Sequence, residues 1–254
     1  MEVHAHTHPS ASSGTRKKWT HYFWEFLMLF LAVFCGFLAE YQLEHTIEHQ
    51  RAKVYAANLY EDMKKDTAEL KKVMRISEEN SEKLDTLCLL ITKLGVRNIP
   101  SIDLLRLAQY TTFVQFFSSN NATIEELKGS GGLRLMKSSV SKQISLYDKR
   151  LRDLANEYAL SRAEFIKMEE LYFKVFDRNL FDLMSNVSLH LNTDSLLTKN
   201  PPVINDDPAL IKEYLGWVSF EKYIYRLQVT DHLQPLIVEA LKIIELLKKE
   251  YHVE

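Results

Sequence analysis

Apolar residues near the start of the chain form one uninterrupted block, whereas those further along form stripes. Phe26 to Ala39 reads FLMLFLAVFCGFLA and carries no charge. Aromatic residues flank this block on both sides, namely Trp19, Tyr22, Phe23, Trp24 and Tyr41. Such flanks are typical of the two faces of a membrane. A helix from Tyr22 to Tyr41 rises about 30 Å, the thickness of a hydrocarbon core. The pattern predicts a transmembrane helix at residues 19–42, preceded by a flexible tail at residues 1–18.

The residues around this block predict whether it is cleaved off and how it is oriented in the membrane. A signal-peptidase site is poor, because Phe37 lies where cleavage requires a small residue. The segment is therefore predicted to be a retained anchor. Residues 16–18 are basic, whereas Glu40, Glu44 and Glu48 follow the block. The positive-inside rule then places the tail in the cytoplasm and residues 43–254 on the other side, which in a bacterium is the periplasm.

Beyond the anchor, apolar residues recur at helical spacing. No Gly or Pro occurs between Leu38 and Leu94, so the anchor helix is expected to continue. The stripe consists of Tyr55, Leu59, Met63, Leu70, Val73, Leu84, Cys88 and Ile91. Asp66, Ser77 and Ser81 interrupt it, which predicts a middle that is wetter or less tightly packed. Gly95 and Pro100 are expected to end the helix.

Two shorter helices are predicted next. The first covers residues 103–117 and is followed by the loop SSNNAT. Thr123 and Glu126 have the spacing of a capping box, in which each side chain bonds the other residue's backbone N–H. The second helix is expected to start there and to stop at Gly129.

The clearest stripe predicts a long helix near residues 139–184. Its members follow a 4-3 spacing and are Val140, Ile144, Tyr147, Leu151, Leu154, Tyr158, Phe165, Met168, Tyr172 and Val175. A sustained 3.5-residue repeat requires a partner helix at a shallow crossing angle, in the same chain or in another subunit. The predicted fold is therefore all-α: a transmembrane helix continuing into a long-helix antiparallel bundle with coiled-coil-like packing.

The C-terminal part is predicted to hold one loop and one helix. Asn and Pro residues mark residues 185–208 as a linker or loop. Pro235 is expected either to kink or to start the last helix. One apolar face of that helix is predicted to consist of Leu236, Ile237, Leu241, Ile244 and Leu247.

Composition excludes several classes of protein. Only 7 Gly and 6 Pro are present, too few for the turns of a many-stranded β protein. Lys and Arg number 32 against 34 Asp and Glu, without a long basic run, so nucleic acid is not expected as a partner. Cys35 lies in the anchor and Cys88 in the following helix, which argues against an intrachain disulfide. Cys88 is interpreted as a core residue, with an interchain disulfide as the alternative.

The chain contains one motif with catalytic precedent. His45-Thr46-Ile47-Glu48-His49 has the order of inverted zinc peptidases, in which two histidines one helical turn apart face one metal. The motif lies close to the membrane, and no third ligand can be identified, so a solvated helix face is the preferred interpretation. A structural or adventitious metal contact and a peptidase are the alternatives. Three alternating histidines in the tail lack fixed neighbours that would orient them on a metal; they are His4, His6 and His8.

No other catalytic template is present. A closely spaced carboxylate pair in an apolar setting is absent from the sequence, and so are the G-x-S-x-G and C-x-x-C motifs. No catalytic, cofactor-binding or metal-binding residue is therefore assigned, no cofactor is expected, and the protein is predicted not to be an enzyme.

Two blocks of sequence resemble a family of uncharacterised single-pass envelope proteins from bacteroidetes. The first is KKWTHYFWEFLMLFLAVFCGFLAEYQLEH, from Lys17 to His45, followed by IEHQRAK. The second is ATIEELKGSGGLRLMKSSVSKQISLYDKRL, from Ala122 to Leu151. The resemblance covers about a third of the chain. It implies a location in the envelope and a helical architecture, but no activity.

These observations favour a structural role. The expected function is that of a membrane-anchored periplasmic scaffold, adaptor or accessory subunit of an envelope complex, located in a bacterial inner membrane. The expected partners are the lipid bilayer and either further copies of the chain or other envelope proteins. The alternatives are a periplasmic ligand-binding or sensory module and, third, a metal-dependent hydrolase that uses His45, Glu48 and His49.

Overall fold

The computed structural model describes residues 15–177, Val203 and residues 205–253. Helices account for 88% of these residues, and no β-strand occurs among them. The prediction of an all-α protein is therefore confirmed. The chain divides into two compact units, one comprising residues 1–53 and the other residues 54–254.

The N-terminal unit contains the predicted anchor. Helix α1 spans Thr15–Leu94, and the described residues of this helix include one segment long and apolar enough to cross a membrane. The 18-residue window that meets this criterion has a mean hydropathy of 2.0, and none of it is buried. Large apolar side chains such as Trp24, Phe30 and Phe37 are exposed.

The second unit contains the remaining helices. They are α2 (Ser101–Ala108), α3 (Ala122–Gly129), α4 (Ser138–Leu160), α5 (Arg162–Val175), α6 (Pro208–Leu227) and α7 (Gln234–Tyr251). Short 3₁₀ turns lie at Val96–Asn98, Gln109–Thr111 and Gly132–Leu135, and a π-helix at Gln228–Leu233 joins α6 to α7. Helix α4 packs against α7, and α5 packs against α6.

The helix predicted at residues 103–117 is shorter than expected. Helix α2 ends at Ala108, and residues 112–121 are not helical. The backbone in this segment finds partners outside a helix: the carbonyl of Phe113 accepts hydrogen bonds from Asn80 Nδ2 at 3.1 Å and from Tyr225 Oη at 2.9 Å. Tertiary contacts therefore replace the helical hydrogen bonds that the local pattern predicts.

The capping box predicted for α3 is wrong. Helix α3 begins at Ala122, and the side chain of the residue before it, Asn121, makes no capping hydrogen bond. Thr123 Oγ1 instead donates to the carboxylate of Asp62 on α1, at 2.6 Å. The predicted end of the helix at Gly129 is correct, and Gly131 follows with φ 69°, a left-handed conformation that favours glycine.

The long helix predicted at residues 139–184 is divided in two. Helix α4 ends at Leu160, α5 begins at Arg162, and Ser161 forms the junction. Helix α5 ends at Val175, and residues 178–184 lie outside the described residues. Most of the predicted stripe is buried on either side of the junction, namely Val140, Ile144, Tyr147, Leu154, Met168, Tyr172 and Val175.

The C-terminal predictions are correct in part. Most of the predicted linker at 185–208 lies outside the described residues, and Pro208 is the first residue of α6. Pro235 lies in the first turn of α7, directly after the π-helix. Leu241 of the predicted apolar face is exposed, whereas the buried positions of α7 include Leu236, Ala240, Ile243 and Leu247.

One part of the core joins four helices. Helix α1 contributes Leu84, Leu87 and Ile91, and these pack with apolar side chains of α2, α5 and α6. Aromatic residues fill its centre, since the rings of Phe176 and Tyr214 are 5.8 Å apart. The burial of this apolar area holds α1, α2, α5 and α6 together.

The polar interruption of the α1 stripe is buried, so its middle is not wetter, whereas a cavity of about 200 Å³ beside Ser77 and Ser81 agrees with the alternative of looser packing. Asp66 is 0% exposed. Its carboxylate accepts hydrogen bonds from Ser119 Oγ, from Asn120 N at 2.7 Å and Nδ2 at 2.9 Å, and from Tyr147 Oη at 2.7 Å. Burial and then the charge of Asp66 raise the pKa of Tyr147, which remains a donor. This carboxylate joins α1, α4 and the non-helical segment 112–121.

Replacing Asp66 by alanine should destabilise the second unit strongly. The Asp66→Ala variant leaves a buried Tyr147 hydroxyl and the donors of residues 119 and 120 without an acceptor. We expect the free energy of unfolding to fall by about 3 kcal/mol or more, as measured by denaturant titration of the full chain in lipid nanodiscs. Asp153→Ala, at an exposed position of α4, is the control and should change it by less than about 0.5 kcal/mol. Equal effects of the two substitutions would contradict this role for Asp66.

Candidate functional site

The H-x-x-E-H motif acquires no further metal ligand from the residues that the structure describes. His45 and His49 are exposed on α1, and Glu48 is partly buried. The ring of His45 lies 6.5 Å from that of Tyr41. Among the described residues, no three His, Cys, Asp or Glu side chains are grouped so that they could hold a metal ion. The tail histidines 4, 6 and 8 lie outside the described residues.

A cavity of about 440 Å³ lies in the second unit, at the junction of α4 with α5. The end of α6, the π-helix and the non-helical segment 112–121 form its other walls. We call it the Glu221 pocket. Its aromatic lining consists of Phe116, Tyr158, Phe165, Phe220 and Tyr225. Its aliphatic lining consists of Val114, Leu160, Ile224 and Leu227, and its neutral or weakly basic polar lining of Ser161, Gln228 and His232.

Four carboxylates complete the lining of the pocket. The four are Glu157, Glu164, Glu221 and Asp231, and neither Lys nor Arg occurs among the described lining residues. Glu221 is 8% exposed and forms no hydrogen bond or ion pair with a described residue. Oε2 of Glu164 is buried and has no hydrogen-bond partner among the described residues. A buried carboxylate without a partner carries a large desolvation cost.

Burial and charge act on Glu221 in the same direction. Burial raises the pKa of Glu221 to about 7, and the negative charge of Glu164 contributes to the rise. The Glu221 charge also raises the pKa of Tyr225, which burial already elevates. A carboxyl group with a pKa near neutrality, inside an apolar cavity, is typical of functional sites.

Two interruptions of helical structure bring these residues together. The junction at Ser161 ends α4 after Glu157 and Tyr158 and starts α5, which carries Glu164. The π-helix after Leu227 places Gln228, Asp231 and His232 on the wall of the pocket. Wide turns of this kind inside helices frequently occur at functional sites.

The aromatic wall is fixed by hydrogen bonds to Tyr158. Its hydroxyl oxygen accepts from the backbone N–H of Phe117 at 3.1 Å and from Gln228 Nε2 at 3.0 Å. Its ring meets that of Phe116 edge-on, with 4.8 Å between centroids. Segment 112–121, α4 and the π-helix are thus joined at one side of the pocket.

A second cavity, of about 580 Å³, is a weaker candidate. It lies between the turn after α1 and the start of α6. Its charged groups include Arg97 and Asp206, which form an exposed ion pair with each other. A binding site needs polar groups that are still available to a ligand, and the Glu221 pocket has them.

Sequence reasoning missed Glu164 and Glu221. They lie 57 positions apart along the chain, so no local motif joins them. One signal was present: Tyr214, Val218, Glu221 and Tyr225 are buried positions of α6 at helical spacing, and Glu221 is the charged member of that stripe. A carboxylate at a core position marks a site whose partner lies elsewhere in the fold or in a ligand.

The raised pKa of Glu221 predicts how stability depends on pH. The folded protein binds this proton more tightly than the unfolded chain, whose carboxyl has the ordinary value of 4.5. Glu221 therefore stabilises the fold least above pH 7, and the penalty is relieved as the pH falls through about 7. From pH 5 to pH 8, we expect wild type to lose about 2 kcal/mol of unfolding free energy relative to Glu221→Gln.

Denaturant titrations of the full chain at several pH values measure this difference. Glu213→Gln is the matched control, because Glu213 is exposed on the same helix. It should keep the pH dependence of wild type. A wild-type profile parallel to that of Glu221→Gln would rule out a perturbed carboxyl at this position.

Comparison with known proteins gives no match to this chain among family models, curated proteins or solved structures. The Glu221 pocket is an aromatic cavity in which Glu221 and Oε2 of Glu164 lack partners among the described residues.

Proposed function

We propose that the protein is a membrane-anchored helical module that binds a small molecule in the Glu221 pocket, in a ligand-binding or sensory role. The single observation that carries this proposal is the buried residue Glu221, which has no partner among the described residues and lines an aromatic cavity of about 440 Å³. Ligand sites typically have volumes of about 300–1,000 Å³, apolar walls and a few converging polar groups.

The energetics of Glu221 support a functional role. Among the described residues, the fold supplies partners to the other buried acids: Asp66 accepts four hydrogen bonds, and Glu239 accepts from Gln143 and Lys242. Glu221, which is 8% exposed, receives none from a described residue. An uncharged side chain of the same size would avoid the desolvation cost. A position that lowers stability in this way is expected where a ligand supplies the missing interaction.

The N-terminal segment supports a membrane location. We propose that residues 19–42 span the membrane, with residues 1–18 in the cytoplasm and residues 43–254 on the other side. The exposed apolar helix and the aromatic flanks support the span. The basic residues 16–18 support the orientation. The family resemblance supports a bacterial inner membrane and a periplasmic domain.

The order of contacts supports an antiparallel bundle. Backbone N–H of Lys137, at the start of α4, donates to Tyr251 Oη at the end of α7. Tyr158, near the end of α4, bonds Gln228 just before α7. Partners thus occur in opposite order along the two helices. We propose that the long helices pack as an antiparallel bundle with the coiled-coil-like contacts that their spacing predicts.

A scaffold or adaptor is the second candidate. Large apolar side chains are exposed on the second unit, including Leu160 at 71% and Phe113 at 60%. Exposed apolar residues of this size occur where proteins associate. The partners would be further copies of the chain or other envelope proteins. A hydrolase based on His45, Glu48 and His49 has no comparable support, because the described residues add no third ligand.

Filling the pocket should abolish ligand binding. We expect at least one compound of a small-molecule library to raise the thermal unfolding temperature of the full chain in nanodiscs, because a ligand at a hundredfold excess over its Kd adds about 2.7 kcal/mol of stability. Ile224→Trp adds bulk to the lining and should remove the shift. Tyr223→Trp is the matched control, since the neighbouring Tyr223 is 56% exposed and does not line the pocket. The proposal that the pocket binds a ligand would be contradicted if Ile224→Trp kept the ligand-induced rise in unfolding temperature. It would also be contradicted if no compound raised the unfolding temperature of wild type.

Charging the apolar block should release the protein from the membrane. The double change Leu29→Lys and Val33→Lys places two charges in the proposed span, each costing about 3 kcal/mol at its centre. We expect the variant to lose retention in carbonate-washed membranes. Leu89→Lys and Leu94→Lys, at exposed positions outside the block, should leave retention unchanged. Recovery of wild type in the carbonate supernatant would contradict the prediction that residues 19–42 anchor the protein.

The orientation is tested with reporters fused to the C-terminus. An alkaline phosphatase fusion should be active. An inactive phosphatase fusion, together with a fluorescent signal from a cytoplasmic-type reporter, would show that the orientation is the reverse of the one proposed.

A further inference from the structure

We propose that the ligand of the Glu221 pocket is an organic cation: an ammonium group attached to an aromatic or aliphatic body. This inference rests on the proposed function and specifies the class of ligand. The ammonium would lie against Glu221 and Glu164, and its apolar body would lie against the aromatic wall formed by Phe116, Tyr158 and Phe165.

The sign of the charge follows from the lining. Four carboxylates face the pocket, and no Lys or Arg is present among the described residues that line it. Glu221 and Oε2 of Glu164 lack partners among the described residues. An anionic ligand would add to the repulsion that already exists between the two acids. A neutral ligand would leave the buried charge without compensation, whereas an ammonium supplies both the charge and hydrogen-bond donors.

The chain does not supply this cation from α6. Two basic side chains lie close to Glu221 in sequence, and both are engaged by Asp85 of α1. Lys222 Nζ lies 2.6 Å from one Asp85 oxygen, and Arg226 Nη2 lies 2.7 Å from the other. Their positive charges are therefore committed to an ion pair at the surface of α1, which leaves Glu221 without a counter-ion from its own helix.

The remaining walls favour an organic cation over a metal ion. Five aromatic rings and four aliphatic side chains line the cavity. Metal ions require about four to eight oxygen, nitrogen or sulfur ligands converging at short distances, and no such cluster exists among the described residues. Aromatic faces attract cations such as alkylammonium groups, and the cavity volume suits a molecule with an apolar body.

Three probes that differ mainly in charge test the inference. They are 4-phenylbutylammonium, the neutral 4-phenylbutanol and the anionic 5-phenylpentanoate. Binding to the full chain is measured by calorimetry in nanodiscs of phosphatidylcholine, whose zero net charge limits the partition of the amine into lipid. We expect the ammonium to bind at least about tenfold more tightly than the alcohol, and the carboxylate to be the weakest of the three.

Substitutions separate charge recognition from simple occupation of the cavity. Glu221→Gln should weaken the affinity for the ammonium by at least about tenfold and change the affinity for the alcohol by less than about threefold. Glu164→Gln, at a less buried position, is a second variant and should act in the same direction. Glu213→Gln, at an exposed position on α6, should leave all three affinities unchanged.

The outcomes distinguish the two proposals. If the alcohol binds as tightly as the ammonium and Ile224→Trp abolishes both, the cavity is a ligand site but the cation inference is wrong. The inference also fails if the carboxylate binds most tightly, or if neither Gln variant weakens the ammonium. If none of the probes binds wild type at millimolar concentration, the cation inference is rejected. The proposed function then fails as well if the library screen also finds no ligand.

Discussion

The architecture of the second unit depends on one buried carboxylate. Asp66 lies inside the protein on α1 and must be hydrogen-bonded to be tolerated there. Its donors come from Ser119 and Asn120 of the non-helical segment and from Tyr147 of α4. This requirement holds segment 112–121 between two helices. The same segment supplies Val114 and Phe116 to the wall of the Glu221 pocket.

The two fully or nearly fully buried acids of α1 and α6 show how a pocket can be built into a helical fold. Asp66 has its donors within the chain, so it contributes to stability. Glu221 lacks such donors among the described residues, and the nearby charge of Glu164 increases the cost of ionising it. The fold thus places a carboxylate without a counter-ion next to a cavity, and the junction at Ser161 and the π-helix provide the space for that cavity. A cation that enters the cavity would compensate the negative charge of Glu221, which links the energetics of the fold to the proposed binding.

Much of the helical content could be predicted from the sequence, because it follows from local spacing. The absence of Gly and Pro after Leu38 is reflected in the length of α1, and Pro235 marks the start of α7. The junction at Ser161 could not be predicted, since the 4-3 spacing continues through it. The early end of α2 depends on Asn80 and Tyr225, which reach Phe113 from distant parts of the chain. The carboxylate pair was missed for the same reason: tertiary packing, and not sequence proximity, brings Glu164 and Glu221 together.

The central claim is that Glu221 is a buried carboxyl group that a cationic ligand completes. The most direct test is ¹³C NMR of the full chain in nanodiscs with labelled Glu side-chain carboxyls, assigned by Glu221→Gln. The account predicts that the Glu221 resonance titrates with a pKa of about 7 in the free protein. It also predicts that the pKa falls when 4-phenylbutylammonium is bound, because a nearby positive charge favours the ionised form. A titration near the ordinary value of 4.5 that the probe leaves unchanged would contradict it.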